Sequence, residues 1–66
     1  MDASMRKMVA EAYDETVSEA MAQGHEPSTA HKEGVTAAAM FLSSLIGVED
    51  AAARAQIESL GLQPHD

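Results

Sequence analysis

The chain predicts an all-α fold, a small three-helix bundle with its second helix central, and three observations carry that prediction. Apolar residues recur at three- and four-residue steps, no stretch alternates as a half-buried strand does, and Gly24, Gly47 and Gly61 each follow a periodic stretch. Glycine enters the left-handed conformation that closes a helix without a Cβ clash, so the three glycines mark three helix ends. At 66 residues there is no room for a second core. The expected organisation is therefore one helical domain over 1–62, followed by a loose C-terminal tail over 63–66.

The first helix is expected over about 3–23, with Asp2 as its cap. Met5, Val9, Ala12, Tyr13, Thr16, Val17 and Ala20 form one apolar stripe along it. The opposite side carries Glu11, Asp14, Glu15, Ser18 and Glu19, with Lys7 as its one base, and so presents an acidic face.

Over about 29–46 runs the second helix. Pro27 cannot stand inside a helix, and the Ser28 hydroxyl is suited to accept an orphan amide hydrogen of the first turn, so Ser28 is the expected cap. Ala30, Gly34, Val35, Ala38, Ala39, Phe41, Leu42, Leu45 and Ile46 cover about half the circumference, more than one neighbour requires, which makes this helix the central one. Ala30, Gly34 and Ala38 form a row of small residues where another helix can come close. The remaining side reads Thr36, Met40, Ser43 and Ser44, with no charge after Glu33, whereas a solvated helix face normally carries Lys or Glu.

A short third helix over about 49–60 closes the bundle as a lid. Asp50, Arg54 and Glu58 stand at four-residue steps on its outer side, and Ile57 and Leu60 supply its large apolar contacts. Leu62 is expected to fold back on Ile57, with Pro64 barring any continuation.

Thirty residues are hydrophobic, but thirteen are alanine, which leaves seventeen large apolar side chains, only Tyr13 and Phe41 of them aromatic. That is a thin core for a chain whose ordering costs about 1.5 kcal/mol per residue. With no cysteine, no disulfide reinforces it, and association with another protein, as a homodimer or small homo-oligomer, is the expected support.

Charge narrows the function. Eleven acids against four bases give −7, which repels a phosphate backbone and an anionic membrane, so neither nucleic acid nor membrane is an expected direct partner. The longest uncharged run, 34–48, falls short of the ~20 residues that cross a bilayer, and no secretory pattern is visible near Met1, so a cytoplasmic location is expected. A helix-turn-helix reading of the second and third helices fails because Arg54 is the one base of the reading helix.

No catalytic, metal or cofactor site is expected. His25 and His31 lie six apart across a loop and a helix start, a spacing that does not share a helix face, although Glu26 and Glu33 are near. The acids share an outer face rather than a cleft, and Ser43 and Ser44 stand mid-helix without a base at a readable spacing. Ser28 occupies the position at which acyl carrier proteins hold their modified serine, but Pro27 and Thr29 replace the Asp and Leu of that attachment triplet, and the class is not assigned.

Two faces remain as candidates. Thr36, Met40, Ser43 and Ser44 form a contact patch for a protein partner, the basis for expecting a small, acidic, non-catalytic interaction module that self-associates. Glu11, Asp14, Glu15 and Glu19 support the alternative, a phage-type acidic inhibitor that imitates nucleic acid and occupies a basic groove, as inhibitors of nucleases and CRISPR complexes do.

Overall fold

A computed structural model describes residues 1–64, and in it the chain forms three helices: α1 (Ala3–Ala22), α2 (Pro27–Ile46) and α3 (Asp50–Ser59). Asp2 caps α1, its Oδ1 accepting the Met5 amide hydrogen at 2.8 Å. At the other end Gly24, with φ +92°, donates to the Met21 carbonyl while His25 donates to that of Ala20. These are the two bonds of a Schellman ending, and they turn the chain sharply enough for α2 to run back antiparallel to α1.

The start of α2 differs from expectation. The helix begins at Pro27, not Thr29, and the cap position is Glu26, whose side chain makes no capping bond; Ser28 lies inside the first turn. Proline suits this place because its fixed φ is already helical and the amide hydrogen it lacks is one a helix start leaves unpaired. At the far end Gly47, φ +71°, donates to the Ser43 carbonyl, and the Ser43 hydroxyl donates to the Val48 carbonyl at 2.7 Å. Both bonds fix the bend from which α3 departs, turned 118° from the line of α2.

Both α1 and α3 pack on α2, which is the central helix. Val9, Tyr13, Val17 and Ala20 of α1, six residues of α2 that include Gly34 and Leu42, and Ala53 and Ile57 of α3 are buried. Met5, Met21, Val48, Leu60 and Leu62 pack around the margin of this core. Arg54 adds a polar tie between α3 and α2, donating from Nη2 to Thr36 Oγ1 at 3.0 Å. Of the residues expected in a loose tail, Gln63 and Pro64 face Pro27, Ser28 and His31 across a cleft, while positions 65 and 66 lie outside the described residues.

The small-residue row of α2 is where α1 approaches. A Cβ on Gly34 would stand 2.6 Å from Val17 Cγ2 and 2.8 and 2.9 Å from the Tyr13 ring. That closeness buries Tyr13 completely, and the phenol needs a partner inside. His31 supplies it, its Nδ1 lying 2.6 Å from the Tyr13 hydroxyl, with the two rings edge to face at 5.6 Å. Burial pushes the Tyr13 hydroxyl above its ordinary value of 10.0, and the neighbouring Asp14 carboxylate adds to the rise.

Gly34→Ala tests the close approach. Alanine favours a helix interior by about 1 kcal/mol over glycine, but overpacking a core costs about 1–3 kcal/mol. Val17 is β-branched and Tyr13 is held by His31, so neither yields easily, and the substitution is expected to lower the melting temperature. A raised melting temperature would show that α1 has room to move away.

Tyr13 also predicts an alkaline limit. Because its folded-state pKa is raised, its contribution to stability is complete below pH 10 and is lost as the pH climbs through the folded value. Tyr13→Phe should cost about 1 kcal/mol near neutral pH, through the unpaired His31 nitrogen, and should flatten the alkaline decline in denaturant-unfolding free energy. Tyr13 is the one tyrosine in the chain and there is no tryptophan, so phenolate absorbance follows this residue alone; a transition at or below the ordinary value would contradict its burial.

Candidate functional site

After Glu33 the sequence of α2 holds no charge, and its circumference divides into three sides. Ala30, Gly34 and Ala38 turn toward α1, and Val35 lies with Ile57 of α3. On the third side Ala37, Met40 and Ser44 recur at three- and four-residue steps. Ala37 and Met40, with Thr36, Lys32 and Glu33 beside them, form the α2 wall of a shallow open groove whose other wall is Thr16 of α1. Met40 is 61 % exposed, the most of any large apolar side chain in the described chain.

Of the four residues expected to make this contact face, two are occupied within the chain. Thr36 is exposed but accepts the Arg54 hydrogen bond, and Ser43 is half-buried with its hydroxyl on Val48. Met40 and Ser44 are exposed. The structure adds large apolar residues that sequence reasoning placed inward or left out: Met1, Met8, Phe41, Leu45 and Ile46 are all 36–46 % exposed. Phe41, Leu45 and Ile46 lie in the last turns of α2, at the end from which α3 bends away. With Gly34 opposite Tyr13 and Val17, Phe41 falls level with Met8, and Leu45 level with the first turn of α1.

The acidic residues of α1 do not form one uniform face. Glu11, Glu15 and Glu19 are exposed, but Asp14 is half-buried beside Tyr13, where its charge acts on the phenol. Glu19 and Glu33 line a small cleft with Thr16, Ala20 and Gln23 at the acidic end of the hairpin.

The histidines are engaged separately. His25 Nδ1 meets Glu33 Oε2 at 2.7 Å across the α1–α2 turn, an exposed pair of a kind that contributes about 0–1 kcal/mol, and His31 is bound to Tyr13. Glu26 stands at the cap position of α2. Among the described residues no three of His, Cys, Asp and Glu come together as metal ligands would. Ser28 is exposed at the start of α2, beside a cleft shared with Gln63 and Pro64. No single described helix is long and apolar enough to cross a membrane.

What this surface is suited for chemically is contact: a polarisable, adaptable methionine, an aromatic edge, small residues and no charge along the middle. No family model, curated protein or solved structure matches this chain.

Proposed function

We propose that this chain is a non-catalytic protein-interaction module that works in the cytoplasm and self-associates through the open side of the α1–α2 hairpin, with Met40 at its centre. One observation carries the reading. Six large apolar side chains, Met1, Met8, Met40, Phe41, Leu45 and Ile46, are at least 36 % exposed, in a chain whose largest fully buried ones are Tyr13, Leu42, Ile57 and Val9. A small domain gives up much of its stability by leaving so much apolar surface in water, at about 25 cal/mol per Å². A protein partner on this side removes that cost. Scattered apolar residues need no such account, but these gather toward one end of one hairpin.

The proposed role involves no cofactor, no metal and no direct contact with nucleic acid or membrane. A second reading keeps one specific observation: Glu11, Glu15 and Glu19 are exposed at four-residue steps along α1, an arrangement suited to the basic groove of a nucleic-acid-binding protein. On that alternative the chain is a phage-type acidic inhibitor of the anti-CRISPR or nuclease-inhibitor class.

Two measurements separate these readings. The purified chain should sediment above its monomer mass at micromolar concentration, with a melting temperature that rises with concentration because association is linked to folding. Met40→Glu places a charge in the middle of the contact and should abolish both effects while leaving helicity intact, since Met40 is already exposed. Association unchanged by Met40→Glu would refute this face.

For the inhibitor reading, Glu11, Glu15 and Glu19 are replaced together by glutamine. All three are exposed, so stability should change by no more than about 1 kcal/mol. An acid-driven complex captured from the native host should then be lost, and should weaken with salt as the ~10 Å screening length of 0.1 M shortens. A complex that survives both treatments excludes the decoy.

A further inference from the structure

Resting on the reading of this face as the place of self-association, we infer that Met40 is an oxidation site and a peroxide-sensitive switch. Conversion of its thioether to the sulfoxide separates the associated chains, and reduction lets them rejoin.

The composition leaves peroxide little else to attack. The chain has five methionines, no cysteine and no tryptophan. Its one tyrosine, Tyr13, is completely buried and bonded to His31. Oxidisable sulfur is therefore confined to Met1, Met5, Met8, Met21 and Met40, and access to it follows exposure. Met5 and Met21 are partly buried and packed against the core. Met1 and Met8 are 40 and 38 % exposed, whereas Met40 is 61 % exposed. The first thioether that peroxide meets is thus the one on the open groove of α2, beside Thr36, Ala37 and Thr16, in a stretch without charge from Gly34 to Val48.

The reaction moves one oxygen atom. The Met40 sulfur lone pair attacks hydrogen peroxide, an S–O bond forms, the O–O bond breaks, and the second oxygen leaves as water. Sulfur loses two electrons and peroxide gains them. The return step belongs to methionine sulfoxide reductases, one for each sulfoxide epimer, in which a pair of thiols becomes a disulfide and the oxygen departs as water.

The position of Met40 separates association from folding. Its sulfoxide is polar, and on an exposed side chain water satisfies the new oxygen, so the single chain keeps its helices. Association has to strip that water away and loses the adaptable apolar contact of the thioether. Met5 and Met21 differ, because a sulfoxide there would press on the core margin and act on stability instead. Association and oxidation of Met40 therefore oppose each other. The associated form covers the sulfur, peroxide reaches it in the free chain, and each oxidised chain is withdrawn from the associating pool. The response is steepest where the protein concentration is near the dissociation constant.

Hydrogen peroxide is the probe that tests this. The purified chain is oxidised in a time course and the singly oxidised form is isolated by chromatography. Peptide mass spectrometry locates the oxygen, circular dichroism follows helicity, and sedimentation gives the association constant. Met40 should be oxidised first, and more slowly as the protein concentration rises through the dissociation constant. The Met40 sulfoxide form should associate about tenfold or more weakly than the untreated chain, the scale of one buried acceptor left unsatisfied. Its helicity should be unchanged, and treatment with reductases for both epimers should restore the original association. Another methionine oxidised ahead of Met40, or a Met40 sulfoxide form that associates like the untreated chain, overturns the switch and leaves self-association standing. Loss of helicity on oxidation of Met40 overturns it too, because unfolding would then be what separates the chains. An untreated chain that stays monomeric at every concentration overturns self-association itself, and the switch with it.

Discussion

The missing side chain at Gly34 is the constraint from which the other features of this fold follow. A Cβ there would stand only 2.6 Å from Val17 Cγ2, so the Val17 and Tyr13 side chains lie directly against the Gly34 backbone and Tyr13 is buried between α1 and α2. Its hydroxyl then has no water to bond, which gives His31 its place half-buried at the Tyr13 hydroxyl rather than in solvent. Gly34 costs about 1 kcal/mol as a helix residue, and the burial of the largest side chain in the core offsets it. In a chain with so few large apolar residues, one aromatic ring correctly seated counts for much of the packing.

Much of this was legible in the sequence because it depends on local rules. The glycine stops at 24 and 47, the capping Asp2, the small row through Gly34 and the central role of α2 follow from conformational freedom and three-to-four spacing. What escaped depends on pairing between helices. Ser28 was the natural cap by side-chain chemistry, yet the preformed φ of Pro27 extended the helix past it. The Tyr13–His31 bond joins residues eighteen apart that only the antiparallel register brings together.

The face proposed for contact was legible in part, for the same reason. Its uncharged middle could be read directly from α2, which singled out Met40 and Ser44. Thr36 and Ser43 have the same composition but are engaged, Thr36 by Arg54 of α3 and Ser43 by the Val48 carbonyl in the turn after α2. Phe41 and Leu45 look like core residues on a helical wheel but are exposed in the last turns of α2. A periodic pattern identifies which side of a helix is apolar, whereas the packing of its neighbours decides how much of that side is covered.

The lopsided attachment of α3 has a consequence for how this chain breathes. Its buried anchors are Ala53 and Ile57, and its polar tie to α2 is the single Arg54–Thr36 bond, whereas α1 and α2 share the seam around Gly34 and Tyr13. The molecule is thus two cooperative units of unequal strength, a hairpin and a clasp. Opening the clasp exposes Val35 and Leu42 without disturbing Tyr13, so backbone amides of α3 belong to the fast-exchanging end of a native-state hydrogen-exchange ladder and those of the Val9–Val17 segment to its slow end.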